Sequence, residues 1–242
     1  MKTELYFLLL FTMLFLACGK SDMSIGPEDK PIKSISLDAY REHLDDTYFK
    51  MWSDSSWAQY NGMKTLISGQ SYTTILASTG TVYYYSSRGY AGLQERGKSV
   101  IIFDNPLALP DVLLFGKEYV LQTTFFYDGY NYTFTERYTL KDTMSIAAPV
   151  GHFGECLWFR ASVTLSVGGQ TSTSNQEFWS AIGPGSIKAT LNSGMTIVMV
   201  RGQVNGTNWN MSLGKALVER PQTITPESNG TKALSLLVWA GL

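Results

Sequence analysis

The chain has 242 residues, with 19 Lys and Arg against 20 Asp and Glu and a net charge of −1. That length suits one domain of ordinary size or two small ones. The basic residues are scattered singly, which excludes the electrostatic stripe of a nucleic-acid binder, and two cysteines, Cys18 and Cys156, exclude a disulfide framework.

Only 16% of the residues are charged, below the roughly 25% of an average globular protein. Aromatics make up 13%, with 14 tyrosines, and Thr and Ser supply much of the remaining polarity. That mix favours strands over helices.

The chain opens on a weakly positive Met1–Glu4, then an apolar run from Leu5 to Leu16 broken by Thr12 alone. As a helix this run spans about 18 Å at ~1.5 Å per residue. A hydrocarbon core is about 30 Å thick, so the run is too short for a stable span and has the length of a signal-peptide core. It ends Phe15-Leu16-Ala17-Cys18-Gly19, which resembles a bacterial lipobox. The resemblance implies cleavage before Cys18 and acylation of its thiol, since a thiolate is the best side-chain nucleophile near neutral pH. Two or three acyl chains exceed the threshold for stable attachment. Gly19 rather than Asp follows the cysteine; in such lipoproteins an Asp there signals retention in the inner membrane, so the resemblance implies the outer membrane, and the expected side is its periplasmic face rather than the cell surface. With Cys18 acylated, Cys156 has no partner and reads as a small, partly buried side chain.

Gly, Ser, Pro, Asp and Lys dominate Gly19–Lys33, the composition of a tether. Ser36, then Leu37, Tyr40, Leu44 and Tyr48 at spacings of three and four, predict a short capped helix ending before Trp52. Glu42, Asp45 and Asp46 fall on it as a solvated face. Beyond Trp57, turn signals recur at Asn61-Gly62, Ser78-Thr79-Gly80, Asp128-Gly129, Gly168-Gly169, Gly183-Pro184-Gly185 and Ser193-Gly194. Runs rich in Tyr, Thr, Val, Ile and Phe separate them, the pattern of antiparallel hairpins.

Two runs alternate cleanly. Tyr130, Tyr132, Phe134, Tyr138 and Leu140 share one face, and Leu157, Phe159, Ala161, Val163, Leu165 and Val167 share another. Asp128-Gly129 supplies the turn of a tight hairpin. Glu219–Lys232 reads as a loop and Ala233–Trp239 as a last strand. The expected fold is mainly β: a single curved antiparallel sheet, open barrel or half-barrel, with one short N-terminal helix. The expected organisation is a lipoprotein signal peptide at 1–17, a flexible tether at 18–34 and a β-rich domain at 35–242.

Four stretches carry a family likeness. They are Tyr48-Phe49-Lys50-Met51 followed by Trp57-Ala58-Gln59-Tyr60; Pro106–Pro110 followed by Phe115–Tyr119; Ala148–Cys156 around Phe153; and Glu177–Lys188, which holds Trp179, Gly183 and Gly185. In this order they resemble uncharacterised bacterial lipoproteins called TapB-like, with Lys50 standing where the family has Pro. The resemblance implies a β-rich lipoprotein and supplies no catalytic residues. Trp57, Tyr60, Phe153, Trp179, Gly183 and Gly185 are expected to specify the fold: glycines for tight connections, rings for the apolar face.

His43 and His152 are the two histidines, and neither has metal-ligand spacing. His152 and Cys156 would lie about 13 Å apart on a strand at ~3.3 Å per residue. No nucleophile elbow, phosphate loop or dinucleotide fingerprint is present, and no cofactor is expected. Tyr83-Tyr84-Tyr85 and six tryptophans raise carbohydrate stacking against core packing. The expectation is a non-enzymatic interaction or envelope-assembly module, bound to the membrane by its anchor and open to a protein partner in the envelope. The alternative is an apolar or carbohydrate ligand held in the concavity of the sheet.

Overall fold

The computed structural model describes residues 33–210. Cys18, the signal peptide, most of the tether, the loop at 219–232 and the strand expected at 233–239 lie outside the described residues. From the amino-terminal side the strands are β1 (Ser34–Ser36), β2 (Phe49–Trp52), β3 (Trp57–Ile67), β4 (Gln70–Ala77), β5 (Val82–Ser86), β6 (Gly89–Gln94), β7 (Ile101–Leu107) and β8 (Val112–Leu114). There follow β9 (Glu118–Tyr127), β10 (Tyr130–Ala148), β11 (Gly151–Val167), β12 (Gln170–Ala181), β13 (Gly185–Thr190), β14 (Thr196–Val204) and β15 (Thr207–Asn210).

β1 pairs with β8, and the others form one 13-stranded sheet in the order β7-β6-β5-β4-β3-β2-β14-β13-β12-β11-β10-β9, with β15 beside β14. Every pairing is antiparallel. A sheet this wide curls under its own twist, and here its two end strands meet. The Asn105 N–H of β7 donates to Thr123 Oγ1 of β9 at 3.1 Å, and the Thr124 hydroxyl donates to Asp104. No backbone ladder joins β7 to β9 among the described residues. The result is a nearly closed barrel with a seam.

Cross-strand partners share a face, so register alone gives rows around the barrel. Leu140, Phe159, Phe178, Ala189 and Ile197 are successive partners from β10 to β14, and all are buried. Aromatic rings fill the interior: Phe159 stacks on Phe178 at 4.8 Å between centroids. Phe103 of β7 lies 5.0 Å from Tyr90, 5.7 Å from Phe125 and 5.7 Å from Phe134. These last contacts bridge the seam from within. Tyr83 and Tyr85 point to this core, whereas Tyr84 packs edge-on against Tyr72 in a smaller cluster.

At the β9–β10 hairpin Asp128 and Gly129 both take positive φ, 49° and 84°, the primed turn whose twist matches paired strands. Ser68-Gly69 and Asn205-Gly206 make the same kind of turn, and neither was among the turn signals. Asn61-Gly62 was, yet it lies inside β3. There the register with β4 shifts between Tyr60 and Lys64, and the bulge is held by the Thr74 hydroxyl, bonded to Asn61 and to Met63 O at 2.8 Å.

The expected amino-terminal helix is not formed. The segment holds one 3-10 turn, Asp38–Tyr40, and then runs irregularly to β2. Its periodic side chains do bury: Leu37, Tyr40 and Tyr48 are core residues. Tertiary partners, however, take the backbone groups an α-helix would have used. Leu37 N–H donates to Asp111 O at 2.8 Å, Ala39 O accepts from Gly183 N–H at 3.1 Å, and Tyr40 O accepts from Ser180 Oγ at 3.1 Å. His43 N–H donates to Asn205 Oδ1 at 2.7 Å. The segment is a strap lying across strand connections.

Phe134, 1% exposed, packs against the seam-bridging Phe103. Phe134→Ala is expected to cost about 3–5 kcal/mol in urea unfolding, whereas Val120→Ala, at a site 49% exposed, shifts stability by about 0.5 kcal/mol or less.

Candidate functional site

The residues singled out by the family likeness do not converge on one cleft. Trp57 and Tyr60 sit half-buried on β3, where Tyr60 N–H donates to Tyr48 O at 2.8 Å. Trp179 on β12 stacks parallel to Trp158 at 6.4 Å, with Lys188 Nζ 4.6 Å from its ring centroid. Phe153 is buried against Trp209 at 5.4 Å, and a Cβ on Gly183 would meet the same Trp209 ring at 3.4 Å. Gly185 is the tightest of the set: a Cβ there would lie 2.4 Å from Glu42 Cγ, and its φ is +65°. Only glycine fits both the angle and the space.

His43 and His152 are exposed, while Cys156 is fully buried. Burial pushes its thiol up to about 11, and its Sγ faces Phe153 O at 3.8 Å. A thiol so held is not a nucleophile at neutral pH. Among the described residues no three His, Cys, Asp or Glu side chains gather as a metal site.

The chemistry that is present lies inside. Glu42, expected on a solvated face, instead turns inward and pairs with Lys50, the two side chains 2% and 0% exposed. Lys50 Nζ also donates to Ser186 O at 2.8 Å, and Ser186 N–H donates to Glu42 Oε1 at 3.2 Å. Burial penalises both charges, raising the carboxyl and lowering the ammonium. Their mutual attraction, with hydrogen bonds to the carboxyl from Tyr48 and the Ser186 N–H, works against it. The pair clamps the strap to β2 and to the start of β13. Asn205, in the β14–β15 turn, adds a second clamp by donating to Gly183 O at 2.7 Å.

A second buried acid forms no salt bridge among the described residues. Glu136 on β10 points inward between Phe134 and Tyr138 and is 4% exposed. Its cross-strand partners are Val163 and Leu121, and its hydrogen bond comes from the Tyr138 hydroxyl at 2.8 Å. Burial pushes its carboxyl up to about 7. Its charge in turn raises the phenols of Tyr85, Tyr90 and Tyr138, on top of the larger effect of burial. The Tyr83 and Tyr90 hydroxyls and Gln176 Nε2 are buried with no hydrogen-bond partner among the described residues. The interior therefore carries a polar vein of tyrosines running between one unpaired acid and one ion pair.

Sequence reasoning missed Lys50, Glu42 and Glu136 as interior groups. Glu136 was findable: it occupies the inward position of a strand otherwise alternating in Tyr, Phe and Leu. Lys50 and Glu42 left no such signal, because their pairing depends on the strap's path. The Tyr83–Tyr85 triple, a candidate sugar platform, is buried throughout.

No family model matches this chain, and no curated protein matches it. Solved structures similar to it include the hypothetical lipoprotein YmcC from Escherichia coli, at 11% identity and a TM-score of 0.35 over 66% of this chain and 87% of that one. A candidate exported protein with a YmcC-like fold from Bacteroides fragilis matches at 9% identity and a TM-score of 0.34, over 65% and 95% of the two chains. A candidate lipoprotein from Parabacteroides distasonis matches at 11% and 0.33, over 64% and 94%. With TM-scores below 0.5, these likenesses decide neither fold nor function.

Two predictions follow from the buried charges. Lys50→Met or Glu42→Gln alone leaves a charge unpaired and is expected to cost about 3–5 kcal/mol in denaturant unfolding. The double variant recovers part of that loss, because the remaining charge is gone as well. For Glu136 the folded carboxyl titrates near 7 against an ordinary 4.5. Below 4.5 both states are neutral and nothing is lost; as pH rises toward 7 the unfolded state ionises first. Stability therefore falls across that window by up to about 3 kcal/mol and then levels off. Glu136→Gln, which keeps an acceptor for Tyr138, should flatten that profile in urea titrations at successive pH values.

Proposed function

We propose that this chain is a lipid-anchored protein of the bacterial envelope, acylated at Cys18 and tethered through residues 18–34 to the periplasmic face of the outer membrane. The β-barrel then serves as a non-enzymatic interaction or envelope-assembly module. One observation carries the reading: an apolar run too short to span a bilayer stops at Ala17-Cys18-Gly19. The resemblance to TapB-like lipoproteins agrees with it. The interior supports a surface role as well. Aromatic side chains such as Phe103, Phe134, Phe159 and Phe178 pack the interior, which favours the outer wall and the strand connections for contacts with a partner.

A second reading, carbohydrate binding, rests on the tip of the β9–β10 hairpin. Phe126 and Tyr130 are 68% and 60% exposed there. Phe126 also borders a pocket of about 200 Å³ lined by Ser99, Val100, Tyr127 and Asp128. Exposed rings beside hydroxyl and carboxylate groups suit the faces and edges of a sugar.

The anchor is tested by expressing the full chain and Cys18→Ala in a Gram-negative host. Wild type should partition into the detergent phase with a diacylglyceryl mass on its amino-terminal peptide, and Cys18→Ala should stay in the aqueous phase. A wild-type peptide without lipid mass ends the reading.

A further inference from the structure

The barrel wall is uneven. From β7 round to β9 every neighbouring pair is laddered by backbone hydrogen bonds, but β7 and β9 meet through the side chains of Thr123, Thr124 and Asp104. Pro106 on β7 has no N–H to offer a ladder. Glu136 lies one strand from this line, on β10. The titratable groups that feel its charge are the phenols of Tyr138 on its own strand, Tyr85 on β5 and Tyr90 on β6, which it raises. Its neighbours across β9 and β11 are Leu121 and Val163. No Lys, Arg or His forms a salt bridge with it among the described residues.

Among the described residues a carboxylate in this setting accepts a hydrogen bond from Tyr138 and has no salt-bridge partner. An ion so poorly solvated draws water toward itself, and water reaches it most cheaply where the wall lacks a ladder. We propose that the β7–β9 seam is a proton-operated opening: protonated Glu136 keeps it shut, and ionised Glu136 parts β7 from β9. The seam's inner bridge, Phe103 against Phe134 and Phe125, is what the opening disrupts. This device does not depend on the anchor reading, since both acid and seam lie within the barrel.

The Asn105 amide is the natural reporter, because its bond to Thr123 Oγ1 crosses the seam. The experiment is amide hydrogen exchange by NMR on the full chain between about pH 4.5 and pH 8.5, as protection factors normalised for intrinsic exchange. The control is the Gly194 amide, bonded to Leu191 O within the β13–β14 turn. Asn105 protection should fall by up to tenfold per pH unit between about pH 5 and pH 7 and then level off. Gly194 should stay flat. The fall should be the same with and without about 1 M urea, the mark of a local opening that exposes little surface. Glu136→Gln should abolish it. Tyr138→Phe, which removes the Tyr138 donor to the carboxylate, should move the levelling-off to higher pH; this variant and wild type decide the question if Glu136→Gln does not fold. The proposal is overturned by Asn105 protection that ignores pH or by a fall that survives Glu136→Gln. It is equally overturned by Asn105 exchange that rises with urea as steeply as global unfolding.

Discussion

Closure of the barrel without a closing ladder is the constraint on which the rest of this architecture depends. A sheet that curls until its first and last strands touch has removed most of its edge, but the final pair must still be held. Here the hold comes from inside. Phe103 sits among Tyr90, Phe125 and Phe134, so strands from both ends of the sheet share one aromatic cluster. The interior must be packed for that to work, and much of the packing is by rings. The same packing brings polar groups under cover. Glu136 and the hydroxyls of Tyr83 and Tyr90 are enclosed because their strands place them on the inner face in register with the rings.

The strap answers a different need. Strand connections at one end of the barrel would otherwise leave Leu37, Tyr40 and Tyr48 without a surface to cover. The Glu42–Lys50 pair fixes where the strap lies. A buried pair adds little net stability, since desolvation consumes most of the Coulombic gain, but a displaced partner is costly. It therefore selects one placement of the strap over its neighbours. Gly185 completes the arrangement by leaving room for the Glu42 side chain, while Asn205 ties the adjacent turn to the strap backbone. β1, paired with β8 outside the barrel sheet, immediately precedes this strap.

How much of this was legible varied with the range of the interaction. The Asp128-Gly129 and Gly168-Gly169 turns and the alternation of Phe159, Ala161 and Val163 are local, and the chain alone declares them. Asn61-Gly62 has the same local signature but makes a bulge, because its flanking residues already pair with one partner strand on both sides of it. The spacing of Leu37, Tyr40, Leu44 and Tyr48 correctly marked a buried side, and misled about the backbone. Apolar periodicity reports which side chains face the core; it does not say where backbone hydrogen bonds go when Asp111, Gly183 and Asn205 compete for them.

The sequence by itself determined a β-rich chain of hairpins and, before it, an apolar run that stops at a cysteine. Periodicity, turn chemistry and the length of an apolar run are properties of neighbouring residues, and each has a direct physical consequence. Only the tertiary structure decided that the sheet closes, that its seam is stitched by side chains, and that Glu42, Lys50 and Glu136 end up inside. Those outcomes depend on residues far apart in the chain meeting at ångström distances: Glu42 reaches Ser186, and Phe103 reaches Phe134. No local pattern encodes such meetings. They follow from the cost of leaving rings in water and charges unpaired, settled across the whole barrel at once.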